Sequence, residues 1–290
     1  MADAFALPVR APRLAPRARF ALWLALLVVS LALAAWHERF ESARPFAAAV
    51  ARGTLIVAVP SRPEPTLYVG KVDRRQRAPD PFAAALANDL AQRAGLPVEL
   101  LLADSNAARA AVATGHADVA IAGLGFAPDA SLAFAPTAYA TGRGLALVLR
   151  HGSVQRWDDL RAKPVCAASG DPYAARAAHA YHANVQGFDR PLDALLAFQA
   201  GDCAALVADE YVVRSLLKQP DWMYYRALPG SIAPAPAYVA TRSGDAASTA
   251  FVEHTVTAWR RDRWLATVRA GQATNLAFDM FNAENDLYCH

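Results

Sequence analysis

The acidic residue Asp209 closes an apolar run, Ala205-Leu206-Val207-Ala208. A carboxylate at the end of a buried strand needs a partner and is suited to a cation or an amine. Ser169, Gly170 and Asp171 follow a second apolar run and lead into Pro172. Pro172 fits a first helical turn. The unpaired N–H groups of such a turn make it a place to hold an anionic group. Gly123 and Gly125 sit at the end of a third run, where backbone can approach a ligand closely. Tyr68 offers a ring for stacking, although a surface or core tyrosine is the commoner case. Arg143, and the cluster Arg74, Arg75 and Arg77, offer positive charge for an anionic ligand. Solvated surface arginines are the plainer reading of all four.

Other chemistries find little footing. His179 and His182 lie three apart on an expected helix without a third ligand at suitable spacing, so no metal is expected. Gly123-Leu124-Gly125 lacks the third glycine and the context of a dinucleotide fingerprint. There is no G-x-S-x-G and no Cys–His signature, and no cofactor is implied. A net charge of +3 without a basic stripe interleaved with aromatics excludes nucleic acid as a natural partner.

The elements that carry these residues repeat one grammar. Gly115 ends a helix and opens the strand Val119-Ala120-Ile121-Ala122, which runs to Gly123. Gly201 ends another helix and opens Ala205 to Asp209. A glycine in the left-handed cap followed by a buried strand is a helix-to-strand unit. Two such units, each offering a strand end, point to two lobes facing one cleft. Strands are expected at Thr54–Val59, Val98–Leu102, Leu145–Leu149, Val165–Ala168 and 237–242. Helices are expected around Phe82–Leu90, at Ser105–Thr114 with Ser105 as its cap, at Leu192–Ala200, and as one long segment from Ala246 to Ala270. In that last helix Val252, Val256 and Trp259 share one apolar side and read as core. Alternating strands and helices imply parallel sheets with right-handed crossovers.

The chain has 290 residues, 55% hydrophobic and 19% charged, enough for one or two sizeable cores. Part of the apolar excess is local. Residues 20–36 carry no charge, and Arg10, Arg13, Arg17 and Arg19 precede them. As a helix this run spans ~25 Å, workable for a bilayer, and the positive-inside rule keeps residues 1–19 in the cytoplasm and exports the remainder. Ala32-Leu33-Ala34 is also a plausible cleavage site, so anchor and cleaved signal both stand. The first cysteine is Cys166, so no lipid-modified cysteine is expected after the apolar run. Export makes disulfides available. Adjacent parallel strands would bring Cys166 and Cys203 within bridging distance, leaving Cys289 over; three unrelated thiols is the alternative.

Several segments together resemble the bacterial family 3 extracellular solute-binding proteins. Ala51-Arg52-Gly53-Thr54-Leu55-Ile56-Val57 is similar to their opening strand. Gly115-His116-Ala117-Asp118 through Gly123-Leu124 is similar to a G-x-A-D-to-A-G-L segment, and Phe134-Ala135-Pro136 to Tyr139 follows it. Val165 to Gly170 and Ala200 to Asp209 fit the second lobe, and the cysteine pair is similar to a disulfide of some amino-acid-binding members. Pro65-Thr66-Leu67-Tyr68 and Ala135 to Tyr139 further resemble the non-catalytic domain of F-type membrane-bound lytic transglycosylases. No catalytic domain follows up to His290, so lytic activity is not expected.

The resemblance implies an α/β, two-lobe periplasmic-binding-protein-like fold (type II) joined by two crossing strands and preceded by a transmembrane or signal helix. Lobe 1 would be 53–144 plus 238–290, lobe 2 145–237, and 37–52 a linker. It implies ligand contacts at Tyr68, Gly123, Gly125, Ser169, Gly170, Asp171 and Asp209, a disulfide between Cys166 and Cys203, and no catalysis. Where the family's amino-acid binders carry T-P-E-R, this chain has Ala127-Pro128-Asp129-Ala130. The missing arginine would weaken a carboxylate by roughly 1.5–3 kcal/mol. The expected ligand is therefore a small polar molecule, amine-bearing rather than an ordinary α-amino acid, presented by a monomer to an ABC permease. An envelope accessory or sensing role, tethered to the inner membrane through residues 20–36, is the alternative. A dehydratase using Asp129, Asp171 and Asp209 stands further back.

Overall fold

A computed structural model describes residue 23 and residues 25–32, 44–63 and 77–288, the side chains of 277–288 excepted. The chain divides into two compact units, Met1–Arg44 and Pro45–His290. In the first, residues 25–32 are helical and exposed. Among the described residues no helix is long and apolar enough to cross a membrane. Residues 20–22, 24 and 33–36 of the expected span, Tyr68, Arg74, Arg75 and Cys289 lie outside the described residues.

The second unit begins with α1 (Ala47–Arg52) and alternates strands with helices from there. Its first sheet has the order β4-β1-β5-β12-β6. Here β1 is Leu55–Val59, β4 Val98–Leu102, β5 Val119–Leu124, β6 Leu132–Phe134 and β12 Tyr238–Arg242. The β1 strand pairs in parallel with β4 and β5, whereas β12 runs antiparallel to β5 and β6. One face packs Leu55, Val57, Leu86, Leu90, Val252, Val256 and Trp259. The other packs Ala58, Ala108, Val112, Ala120 and Leu124. Strands buried on both faces are apolar without alternation, which is why the runs were continuous in sequence.

The second sheet has the order β11-β7-β10-β8-β9. These strands are β7 Gly144–Leu149, β8 Pro164–Ala168, β9 Asn184–Phe188, β10 Ala205–Asp209 and β11 Tyr225–Ala227. It too is packed on both faces, around Val165, Tyr173 and Val207 on one and Leu147, Leu195 and Trp222 on the other. The disulfide joins Cys166 to Cys203, with Cα atoms 5.6 Å apart.

Each sheet with its helices is a lobe, and two crossings connect them. The chain passes between lobes after β6 and returns before β12. The crossings lie side by side: Gly144 and Ile232 exchange N–H···O bonds at 2.8 and 3.0 Å, and Tyr139 N–H donates to Ala237 O at 2.8 Å. This is the two-lobe fold that the repeated helix–glycine–strand unit implied. Gly115 and Gly201 both cap their helices in the left-handed region, φ 82° and 88°.

Three local expectations are corrected. The helix Ser105–Thr114 (α3, after α2 at Pro81–Ala94) is capped by Asp104, whose carboxylate accepts from Asn106 and Ala107; Ser105 Oγ donates instead to Ala122 O at 2.8 Å. The helix before Cys203 begins at Pro191. The long C-terminal helix is two: Ala246–Arg261 and Trp264–Tyr288, with Arg263 at φ 57° between them. A left-handed residue cannot continue a right-handed helix.

Candidate functional site

The strand ends of both lobes meet beside the crossings. On the first lobe, β5 ends at Gly123 (φ 68°) and Leu124. Gly123 and Gly125 are exposed. The Gly123 amide donates to Tyr139 Oη at 2.9 Å, and Gly125 O accepts from Arg109 Nη2 at 2.8 Å. Burial is the main reason that the Tyr139 hydroxyl is pushed up to about 12. Ala127 and Ala130 bring no polar side-chain atom here, and Asp129 turns inward on its own loop, accepting from Ser131 N–H at 2.8 Å. This wall thus offers backbone and little charge of its own.

Next to it stands a charged pair that the sequence did not reveal. Arg62, on β2 (Ser61–Pro63), forms a salt bridge with Asp80. Asp80 is buried, caps α2 through Ala83 N–H at 2.9 Å and donates its own N–H to Pro60 O at 2.7 Å. Asp80 before Pro81 is a helix-start signature and was legible as a cap. Its pairing with Arg62 was not, because the antiparallel pairing of β2 with β3 (Arg77–Pro79) sets that contact. Arg77 is spent on Ser61 in the same hairpin.

On the second lobe, β8 turns through Ser169 and Gly170 (φ 77°) into α4 (Pro172–Tyr181). Ser169 is exposed, and its N–H donates to Phe188 O at 2.7 Å. Asp171 is the N-cap: one oxygen, Oδ1, accepts from Tyr173 and Ala174 N–H at 2.7 and 3.2 Å. The helix start expected to hold an anion therefore already holds the chain's own carboxylate, and a second anion there would be repelled. Among the described residues nothing donates to the other oxygen, Oδ2. Burial pushes the Asp171 carboxyl up to about 6; the two amides and Arg62 pull it down, and Asp209 pushes it up. The charges of both lobes thus act on one carboxylate.

Asp209 stands at the end of β10 and caps α6 (Glu210–Leu216) by accepting from Tyr211 N–H at 2.9 Å. Its Oδ2 was expected to meet a ligand amine. It is instead held within the chain, by Tyr173 Oη at 2.9 Å and Arg269 Nη1 at 2.9 Å. Tyr173 Oη also lies 3.0 Å from Thr141 O in the first crossing. Burial and the neighbouring Asp209 hold the Tyr173 hydroxyl far above its usual range. Burial works against the charge on Arg269, and Asp209 and Tyr173 outweigh it, so its pKa is raised. Arg269 and Tyr173 carried no signal in sequence, since the arginine lies 60 positions from its carboxylate.

The remaining candidates are peripheral. Arg143 pairs with Glu210 at 3.0 Å with 60% of its side chain exposed. His182 ends α4 in the left-handed region, φ 54°. Among the described residues no three His, Cys, Asp or Glu side chains are grouped to hold a metal ion.

No family model matches the chain, and no curated protein matches it. Solved structures do. An amino acid ABC transporter substrate-binding protein from Streptococcus pneumoniae, bound to L-arginine, is 20% identical with a TM-score of 0.54, over 79% of this chain and 98% of that one. An ancestral amino-acid-binding protein, a precursor of cyclohexadienyl dehydratase, is 21% identical with a TM-score of 0.53, over 76% and 95%. The substrate-binding protein of another amino acid ABC transporter is 21% identical with a TM-score of 0.50, over 74% and 97%. The fold is that of the two-lobe substrate-binding proteins. At such identities the likeness speaks for architecture, and the resemblance to lytic transglycosylases finds no counterpart among these neighbours.

Proposed function

We propose that this chain is a periplasmic solute-binding protein that captures a small polar, amine-bearing molecule between its lobes and delivers it to an ABC permease. The observation that carries the reading is Asp171. It is a partly buried carboxylate at a strand end, with one oxygen left over from capping and with Arg62 of the opposite lobe in its field. A cationic group on Oδ2 would relieve the cost of burying that charge. An ordinary α-amino acid fits poorly, because Ala130 supplies no cation for its carboxylate and Asp171 occupies the helix start. Tyr68, Gly123, Gly125, Ser169 and Gly170 would contribute stacking and backbone contacts around it.

The test is a thermal-shift screen of the protein against amines, amino acids and muropeptides. At a 100-fold excess over its dissociation constant a ligand stabilises the folded state by about 2.7 kcal/mol. A screen in which amines raise the melting temperature supports the reading, and one in which nothing does removes it.

A second reading is favoured by one observation, the Arg269–Asp209 contact. A chain whose second cleft carboxylate is already filled suits a membrane-tethered sensing or accessory domain without a permease. Residues 1–19 would then stay in the cytoplasm and 20–36 in the inner membrane. Intact mass separates anchor from signal: retention of residues 1–36 supports the tether, and a mature start near Ala35 removes it.

A further inference from the structure

The C-terminal helix, α8 (Trp264–Tyr288, after α7 at Ala246–Arg261), belongs to both lobes. Near its start Leu265 is buried in the first lobe's core with Leu55, Val57 and Trp259, and Trp264 stacks on Trp259 at 5.4 Å. Farther along, Leu276 packs against the second lobe's core with Leu147, Leu206 and Trp222. Arg269 lies between these two anchors. Its Nη1 reaches Asp209 Oδ2 at 2.9 Å and Tyr173 Oη at 3.1 Å, both on the second lobe. Its guanidinium lies over the Tyr211 ring, 5.4 Å from the centroid. The first crossing makes room for it: Gly142 has φ 98°, and a Cβ there would overlap the guanidinium. The ion pair is largely withdrawn from water, with 12% and 16% of the two side chains exposed.

We infer that Arg269 is a resident occupant of the cation seat on Asp209. It fills from within the place a ligand's amine or guanidinium would take, and it pins the second lobe to a helix rooted in the first. With its charge paired and three donors already on its two oxygens, this carboxylate has little left to offer a cationic solute. Ligand selection at the cleft then falls to groups other than Asp209. The inference does not depend on which solute the cleft takes, nor on whether it takes one.

Removing the arginine should leave a guanidinium-shaped vacancy, so methylguanidinium chloride at millimolar concentration is the probe, with sodium chloride at equal ionic strength as the control. Arg269→Ala should melt roughly 5–10 °C below the wild type, as expected for breaking a buried pair. Methylguanidinium should restore part of that loss saturably in Arg269→Ala, and should not stabilise the wild type or the double variant Arg269→Ala/Asp209→Asn. Equal responses in all three, or none in Arg269→Ala, overturn the inference. Should Arg269→Ala not fold, the Arg269→Met and Asp209→Asn variants and their combination give a second reading. Asp209→Asn should lower the melting temperature of the wild type and leave that of Arg269→Met unchanged or higher. Additive losses overturn it.

Discussion

The Tyr139 hydroxyl accepts the Gly123 amide at 2.9 Å and so fastens the cleft end of β5 to the first lobe's own core. Tyr139 is 6% exposed, whereas the Gly123 end of the bond is exposed. Tyr139→Phe should cost about 1 kcal/mol, since it removes one hydrogen bond while keeping the ring. Urea denaturation monitored by circular dichroism measures this. A loss near zero would mean that the Gly123 amide finds another acceptor.

Asp171 carries a pH dependence whose sign follows from its environment. Its carboxyl is raised from 3.8 to about 6, with burial as the largest cause. Below the unfolded value both states are protonated, and the stability associated with the neutral acid is fully present. It is lost as pH rises through about 6. Asp171→Asn keeps the capping oxygen and removes the charge. At pH 8 it should stabilise the protein by on the order of 1 kcal/mol, allowing for partial exposure, with the gain fading towards pH 4. Melting curves from pH 4 to 8 test this, and a variant less stable than wild type at pH 8 contradicts it.

The disulfide closes a loop whose ends are 37 positions apart in the second lobe. On the chain-entropy argument it contributes roughly 3–4 kcal/mol by restricting the unfolded chain. Cys166→Ser/Cys203→Ser should lower stability by about that amount, and a reducing agent should shift the wild type but not the variant. A wild type indifferent to reduction would mean that the bridge adds little.

Gly142 is the position at which the crossing accommodates Arg269. Gly142→Ala would place a methyl group on the guanidinium at a backbone angle that alanine resists. A loss of at least about 1 kcal/mol is expected in the wild type. The loss should be smaller in Arg269→Ala, where only the backbone term remains. Equal losses in the two backgrounds would show that the close approach is relieved without cost.

What could be read in the sequence was local or periodic. Gly115 and Gly201 marked their helix ends because only a residue free to take positive φ is cheap there. Val252, Val256 and Trp259 marked a buried helix face, and all three are fully buried. The two-lobe fold followed from the repeated unit together with the family resemblance. The helix break at Arg263 was hidden, since no glycine or proline marks it. The charged groups of the candidate site were visible as types but not as partners. Asp209 reads as an open carboxylate until α8 brings Arg269 to it, and Asp171 reads as part of an anion seat until its side chain turns back onto the helix start. Arg62 and Asp80 meet through a hairpin too short to show periodicity. Pairings made by tertiary contact leave no spacing in the chain to find.

The central claim is that a small cationic solute binds in the cleft at Asp171. Isothermal titration of the amine that gives the largest thermal shift, against the wild type and Asp171→Asn at pH 7.5, tests it most directly. Saturable one-to-one binding is expected in the wild type. Because the lost contact is charge-assisted, affinity should fall at least about tenfold in Asp171→Asn, a variant that is itself no less stable. Equal affinity in the two proteins, or no amine that binds the wild type, would contradict it.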